Sequence, residues 1–220
     1  MNRVSRPHDG NSSLSHLRIS RGDGILDTMS DEPSLRCWSL DGEWLFDGSC
    51  LVCGDHRSAV FEYDWWKRWT FARFIAPDVF AAAFETSQPY SEGGSYGDRL
   101  GGVLVHQRQG MDWPLVALDH DYRAHDESFV PDAVAWHPRG LLAWLHKGEL
   151  YAYLLRRRPT DYDINSPSDS YDEDNLALEL NCFGPWHTLR VARDGQQLVA
   201  IGDHEREVFD LRIPDTNTAT

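Results

Sequence analysis

Short hydrophobic runs, cut at close intervals by glycine-containing turn pairs, constrain this chain more than any other feature. CWSLDGEWLFDGSCLVCGDHRSAVFEYDWW, from Cys37 to Trp66, is broken at Asp41-Gly42, Asp47-Gly48 and Gly54-Asp55. Such pairs place a residue with positive φ between two strands and are strong hairpin signals. DAVAWHPRGLLAWLHKGELYAYLL, from Asp132 to Leu155, repeats the plan with turns at His137 to Gly140 and at Lys147-Gly148. HTLRVARDGQQLVAIGDHEREVFDLR, from His187 to Arg212, does so again with turns at Asp194-Gly195 and Gly202-Asp203. Val79 to Arg108 is a weaker copy, with its turn region in SQPYSEGGSYGD and a strand in GGVLVHQR. DVFAAAFE fits one or two helical turns and a strand equally well, and it is the one helix candidate in the chain. The pattern predicts an all-β fold of three- to four-stranded antiparallel units.

GDHRSAVFEY (Gly54 to Tyr63) and GDHEREVFDL (Gly202 to Leu211) share a ten-residue frame near the two ends of this patterned region. A repeated catalytic element and a repeated structural element are the two explanations. Asp after Gly suits a tight hairpin. The structural explanation therefore puts Gly-Asp-His on the hairpin between the last two strands of a unit, with Val-Phe-acid in the outermost strand. Turn glycines at Gly42, near Gly93, at Gly140 and at Gly195 recur about every 50 residues, a blade-sized interval.

These units resemble divergent WD40-type repeats. AVAWHPRGLLAWLHKGELYAYLL and LRVARDGQQLVAIGDHEREVFDLR follow that family's strand–turn–strand order, and Phe61-Glu62 and Phe209-Asp210 stand where its Trp-Asp dipeptide would fall. No unit ends in Trp-Asp itself, none opens with Gly-His, and about four units are visible where the family usually has seven. The resemblance covers roughly residues 35 to 213. It implies a small or partial β-propeller-like array, and binding platforms rather than enzymes are what such arrays mostly form.

Residues 1 to about 30 are polar, without a period in their few apolar residues, and are expected to form a flexible tail ahead of a single domain over 31–220. Met29 is a second candidate start. No apolar run approaches the length of a membrane span or of a signal-peptide core, and four cysteines (Cys37, Cys50, Cys53, Cys182) fit reduced thiols, so a cytoplasmic location is expected. The net charge of −14 disfavours nucleic acid and anionic membrane surfaces and favours encounter with basic partners.

Candidate sites are few. His56 and His204 follow the recurring Gly-Asp and read as turn residues. Cys50 and Cys53 lie three apart in an apolar strand, where they point to opposite faces, and no second pair exists to complete a zinc site. LDHDYRAHDE gathers Asp119, His120, Asp121, His125, Asp126 and Glu127, either a loop between units or the ligands of a metal-dependent hydrolase. Asp161, Asp163, Asn165, Asp169 and Asp172 partly match a calcium loop, but Ser166 holds the position that needs glycine and Asp172 the one that needs glutamate. With Glu173 and Asp174 these carboxylates form an acidic loop over 160–175 unaccompanied by Lys or Arg. Trp65, Trp66 and Trp69 could anchor an interface or pack units together. No phosphate loop, nucleophile elbow or dinucleotide fingerprint occurs. The expected function is therefore non-enzymatic protein binding, with no cofactor and no metal. Its most specific form is a bacterial immunity-type inhibitor that meets a basic toxin through Asp161, Asp163, Asp169, Asp172, Glu173, Asp174 and the three tryptophans. A scaffold or adaptor is the near alternative.

Overall fold

Hairpin geometry organises the molecule from the smallest scale upward. The computed structural model describes residues 35–60, 67–87, 99–123, 129–160, 175–178, 180 and 183–211, with side chains left out at 67, 86–87, 99–100 and 120–123. Gly54 takes φ 57° at the first central position of a two-residue loop closed by the pair Cys53 and His56, the geometry that matches strand twist. Lys147 (φ 50°) and Gly148 (φ 80°) are both left-handed between His146 and Glu149, as a type I′ turn requires. At Asp47 the carboxylate accepts the backbone N–H groups of Ser49 and Cys50 at 2.9 and 2.8 Å, closing the turn before its glycine.

These turns join fifteen described strands into four antiparallel sheets, none closed on itself. The first sheet holds β1 (Cys37–Trp38), β2 (Leu45–Phe46), β3 (Cys50–Cys53) and β4 (His56–Ala59). In the second are β5 (Lys67–Ala76), β6 (Val79–Ser87), β7 (Arg99–Gln107) and β8 (Leu115–Arg123). The third contains β9 (Ala133–His137), β10 (Leu141–His146), β11 (Glu149–Leu154) and β12 (Leu176–Ala177). β13 (Trp186–Val191), β14 (Gln197–Gly202) and β15 (Arg206–Asp210) make the fourth. Within every sheet, strands that follow each other in sequence are hydrogen-bonded neighbours. No helix occurs among the described residues.

Successive sheets pack face to face, and three hydrophobic clusters record the three contacts. Phe80, Ala82, Phe84, Leu104 and Leu118 of the second sheet meet Trp44, Phe46 and Leu51 of the first. From the opposite face of the second sheet, Ala81, Ala83, Val103, Val105 and Ala117 meet Val134, Leu142 and Trp144 of the third. Ala133, Leu141, Ala143 and Leu145 then cover Trp186, Leu189, Leu198 and Ala200 of the fourth. β6 and β10 are thus buried on both faces, which is why VFAAAF and LLAWL are continuously apolar rather than alternating. DVFAAAFE, which admitted helix or strand, is strand for this reason. A Val, Leu or Phe side chain contributes roughly 1.5 to 3 kcal/mol when fully buried, and each alanine less.

Small residues set the spacing of the second sheet. A Cβ on Gly102 would stand 2.6 Å from the Phe84 ring and 2.9 Å from the Asp119 carbonyl oxygen, so no larger residue fits without movement.

The repeat frame needs three corrections. In the second sheet the first hairpin turns at Pro77 and Asp78 without glycine. The expected turn near Gly93 falls in 88–98, outside the described residues and between β6 and β7, one hairpin later than Gly42, Gly140 and Gly195. The two Gly-Asp-His copies also differ. The first has a two-residue loop with His56 already in β4, a strand that ends at Ala59, before Val60; Phe61 to Tyr63 lie outside the described residues. In the second, Gly202 ends β14, Asp203 to Glu205 lead to β15, and Val208-Phe209-Asp210 does lie in the outermost described strand. Finally, residues 118–123 belong to β8 rather than to a loop, because the ladder with β7 runs on through the polar segment as far as Arg123 paired with Arg99.

The chain divides into two units, Met1–Pro33 and Ser34–Thr220. All described residues belong to the second, and the expected tail over residues 1–30 lies outside them. No described helix is long and apolar enough to cross a membrane.

Candidate functional site

Most residues expected to meet a partner lie outside the described residues: Trp65, Trp66, Asp161, Asp163, Asp169, Asp172, Glu173 and Asp174. Trp69 is described, half-buried in β5, with its ring edge-on to Phe46 (5.9 Å) and Phe84 (6.4 Å) in the cluster between the first two sheets. That environment is apolar packing on at least one face of the indole.

The remaining chemical candidates separate. His56 sets its ring edge against the fully buried Trp44 at 5.8 Å, whereas His204 is exposed in the β14–β15 turn. Cys37, Cys50 and Cys53 are free, half-buried thiols; Cys53 packs with Cys37 against the first cluster, and burial raises the Cys37 thiol above its ordinary range despite a backbone hydrogen bond from Phe74. Asp119 is buried in β8 opposite Val103, and His125, Asp126 and Glu127 fall outside the described residues. Among the described residues no three His, Cys, Asp or Glu side chains are placed to hold a metal ion.

Two buried histidines stand apart from these motifs. The Nδ1 of His106 is 2.7 Å from the Trp113 carbonyl, and that of His146 is 2.9 Å from the Val130 carbonyl, so in each the Nδ1–H tautomer donates. Burial lowers the His106 pKa to about 4, although its bond to Trp113 opposes the shift.

A different site emerges where the first strands of three sheets converge. β5, β9 and β13 wall two adjoining cavities of about 260 and about 500 Å³ that share Ile75, Val134, Leu189 and Arg190. Leu40, from the turn after β1, reaches the first cavity, so all four sheets contribute to it. The charged or titratable side chains lining the pair are Arg73, Arg190, Arg193, His137 and His187. No described carboxylate lines either cavity. His187 is engaged by Asp203 through Nε2 at 3.1 Å, and His137 Nε2 lies 3.1 Å from the Arg193 carbonyl. Sequence reasoning missed this cleft because its arginines come from strands remote in the chain and form no motif.

Charge is unevenly shared. The described residues carry as many Lys and Arg as Asp and Glu, so the surplus of −14 comes from the segments between and beyond them. Comparison with models of known families, with curated proteins and with solved structures finds no match to this chain.

Proposed function

We propose that this chain is a non-enzymatic protein-binding module on a short propeller-like array, and that its partner is a basic protein. In its most specific form the module is a cytoplasmic immunity-type inhibitor that neutralises a bacterial toxin. The charge distribution carries this reading. A framework with balanced charge bears an acidic surplus concentrated in other segments, foremost residues 160–175, where no Lys or Arg accompanies the carboxylates. Exposed charge of one sign speeds encounter with a partner of the opposite sign without demanding any catalytic group.

The propeller-like reading draws on the stacking order. Each sheet is a meander, consecutive sheets pack face to face, and the first strands of the second, third and fourth sheets surround one cleft. This order supports reading the sheets as blades of the WD40 type that the sequence resembles, with three described strands in the fourth sheet where the others have four.

The test begins with the full chain as bait in extracts of its native host, followed by assay of each captured basic protein. An inhibitor abolishes its partner's activity at one-to-one stoichiometry, and its co-expression rescues cells from that partner. A partner that stays fully active in the complex would favour a scaffold or adaptor instead. Capture of acidic proteins alone would remove the charge-based reading.

A further inference from the structure

We propose that the cleft between β5, β9 and β13 binds a small amphipathic anion, an aromatic or aliphatic body bearing a carboxylate, sulfonate or phosphate group. This site is independent of the partner-binding reading above, since it uses none of the acidic segments.

Three observations carry it. The first is the lining: Phe74, Ile75, Val134 and Leu189 offer apolar surface within cavities of about 260 and about 500 Å³. The larger cavity falls within the usual size range of ligand pockets, which combine apolar surface with a few polar groups. The second is the sign of the charge. Arg73 on β5 and Arg190 on β13 line the same cavity, and Arg190 and Arg193 line the adjoining one. No described carboxylate lines either cavity with them. The planar forks of guanidinium groups suit carboxylate, sulfonate and phosphate oxygens. Third, the histidines of the cleft are already engaged, His187 by Asp203 and His137 by the Arg193 carbonyl. The arginines are the groups left to receive an anion's oxygens.

Matched fluorescent probes test this directly. Anilinonaphthalenesulfonate has an apolar ring system and a negative head, and phenylnaphthylamine has the same rings without the charge. Titrated into the full chain, the sulfonate should bind with one-to-one stoichiometry and be displaced by inorganic phosphate at high concentration. The variant Arg73→Gln with Arg190→Gln should lose at least about tenfold in sulfonate affinity, the scale of losing charge-assisted hydrogen bonds. The neutral probe should not distinguish variant from wild type. Both arginines are exposed, so the variant should keep its melting temperature. Equal binding of the two probes to wild type and variant would overturn the proposal. So would sulfonate binding that appears only after the carboxylates of Asp169, Asp172, Glu173 and Asp174 are neutralised, because the chain itself would then supply the anion.

Discussion

At the scale of single residues, two groups bear constraints that their sequence context does not advertise. Gly102 sits inside β7 with the Phe84 ring and the Asp119 carbonyl where a methyl group would go. Gly42 is also glycine by conformation (φ 75°), yet nothing lies within 4 Å of its absent Cβ. Alanine at Gly102 should therefore cost about 2 to 3 kcal/mol through overpacking, and alanine at Gly42 about 1 kcal/mol through left-handed strain. Urea denaturation midpoints of the two variants measure the difference, and equal costs would mean the second sheet can spread. His106 makes the pH prediction. Its folded pKa of about 4 lies below the ordinary value of 6.5, so between these pH values the unfolded chain binds more protons than the folded one. Its neutral form is fully favourable above pH 6.5, and that stability is lost as pH falls towards 4. A shift of this size is worth a few kcal/mol. Asparagine at His106 retains a donor near Nδ1 and should flatten the decline of melting temperature across that window. An unchanged decline would assign the acid sensitivity to other groups.

At the scale of elements, legibility followed local chemistry. The turns at Asp41-Gly42, Asp47-Gly48, Gly54-Asp55, Lys147-Gly148 and Asp194-Gly195 all join paired strands, because a turn's backbone demands act over two to four residues that the sequence spells out. The second sheet was harder. Its first hairpin uses Pro77 and Asp78 rather than glycine, and its strands run nine or ten residues. β6 hid its type because both of its faces are covered, so no alternation marks it as a strand. The cleft was illegible for another reason: Arg73, Val134 and Arg190 become neighbours only once three sheets have stacked. Stacking is itself open to test at Trp144. It is almost fully buried in the contact between second and third sheets and lies parallel to Tyr151 and Tyr153 at 5.5 and 5.0 Å. Alanine there should cost about 3 to 5 kcal/mol by chemical denaturation, with a single transition if the stacked sheets unfold together. A second transition would show that the sheets unfold separately.

At the scale of the whole molecule, shape and charge have different sources. The described residues supply a framework whose charges balance, and the surplus of −14 belongs to the segments outside it. The two should then be separable by mutation: acidic substitutions should alter encounter and leave the fold intact, whereas core substitutions should do the reverse. The measurement that reaches this claim most directly is the association rate constant of the captured basic partner as a function of ionic strength. It compares wild type with a variant carrying Asp169→Asn, Asp172→Asn, Glu173→Gln and Asp174→Asn. Salt at about 0.1 M shortens electrostatic reach to about 10 Å, so the wild-type rate should fall steeply as salt is added. The variant should associate more slowly at low salt, with a flatter dependence and a dissociation rate within about twofold of wild type. Equal association rates at low salt would contradict the account, because the acidic segment would then have no part in bringing the partner in.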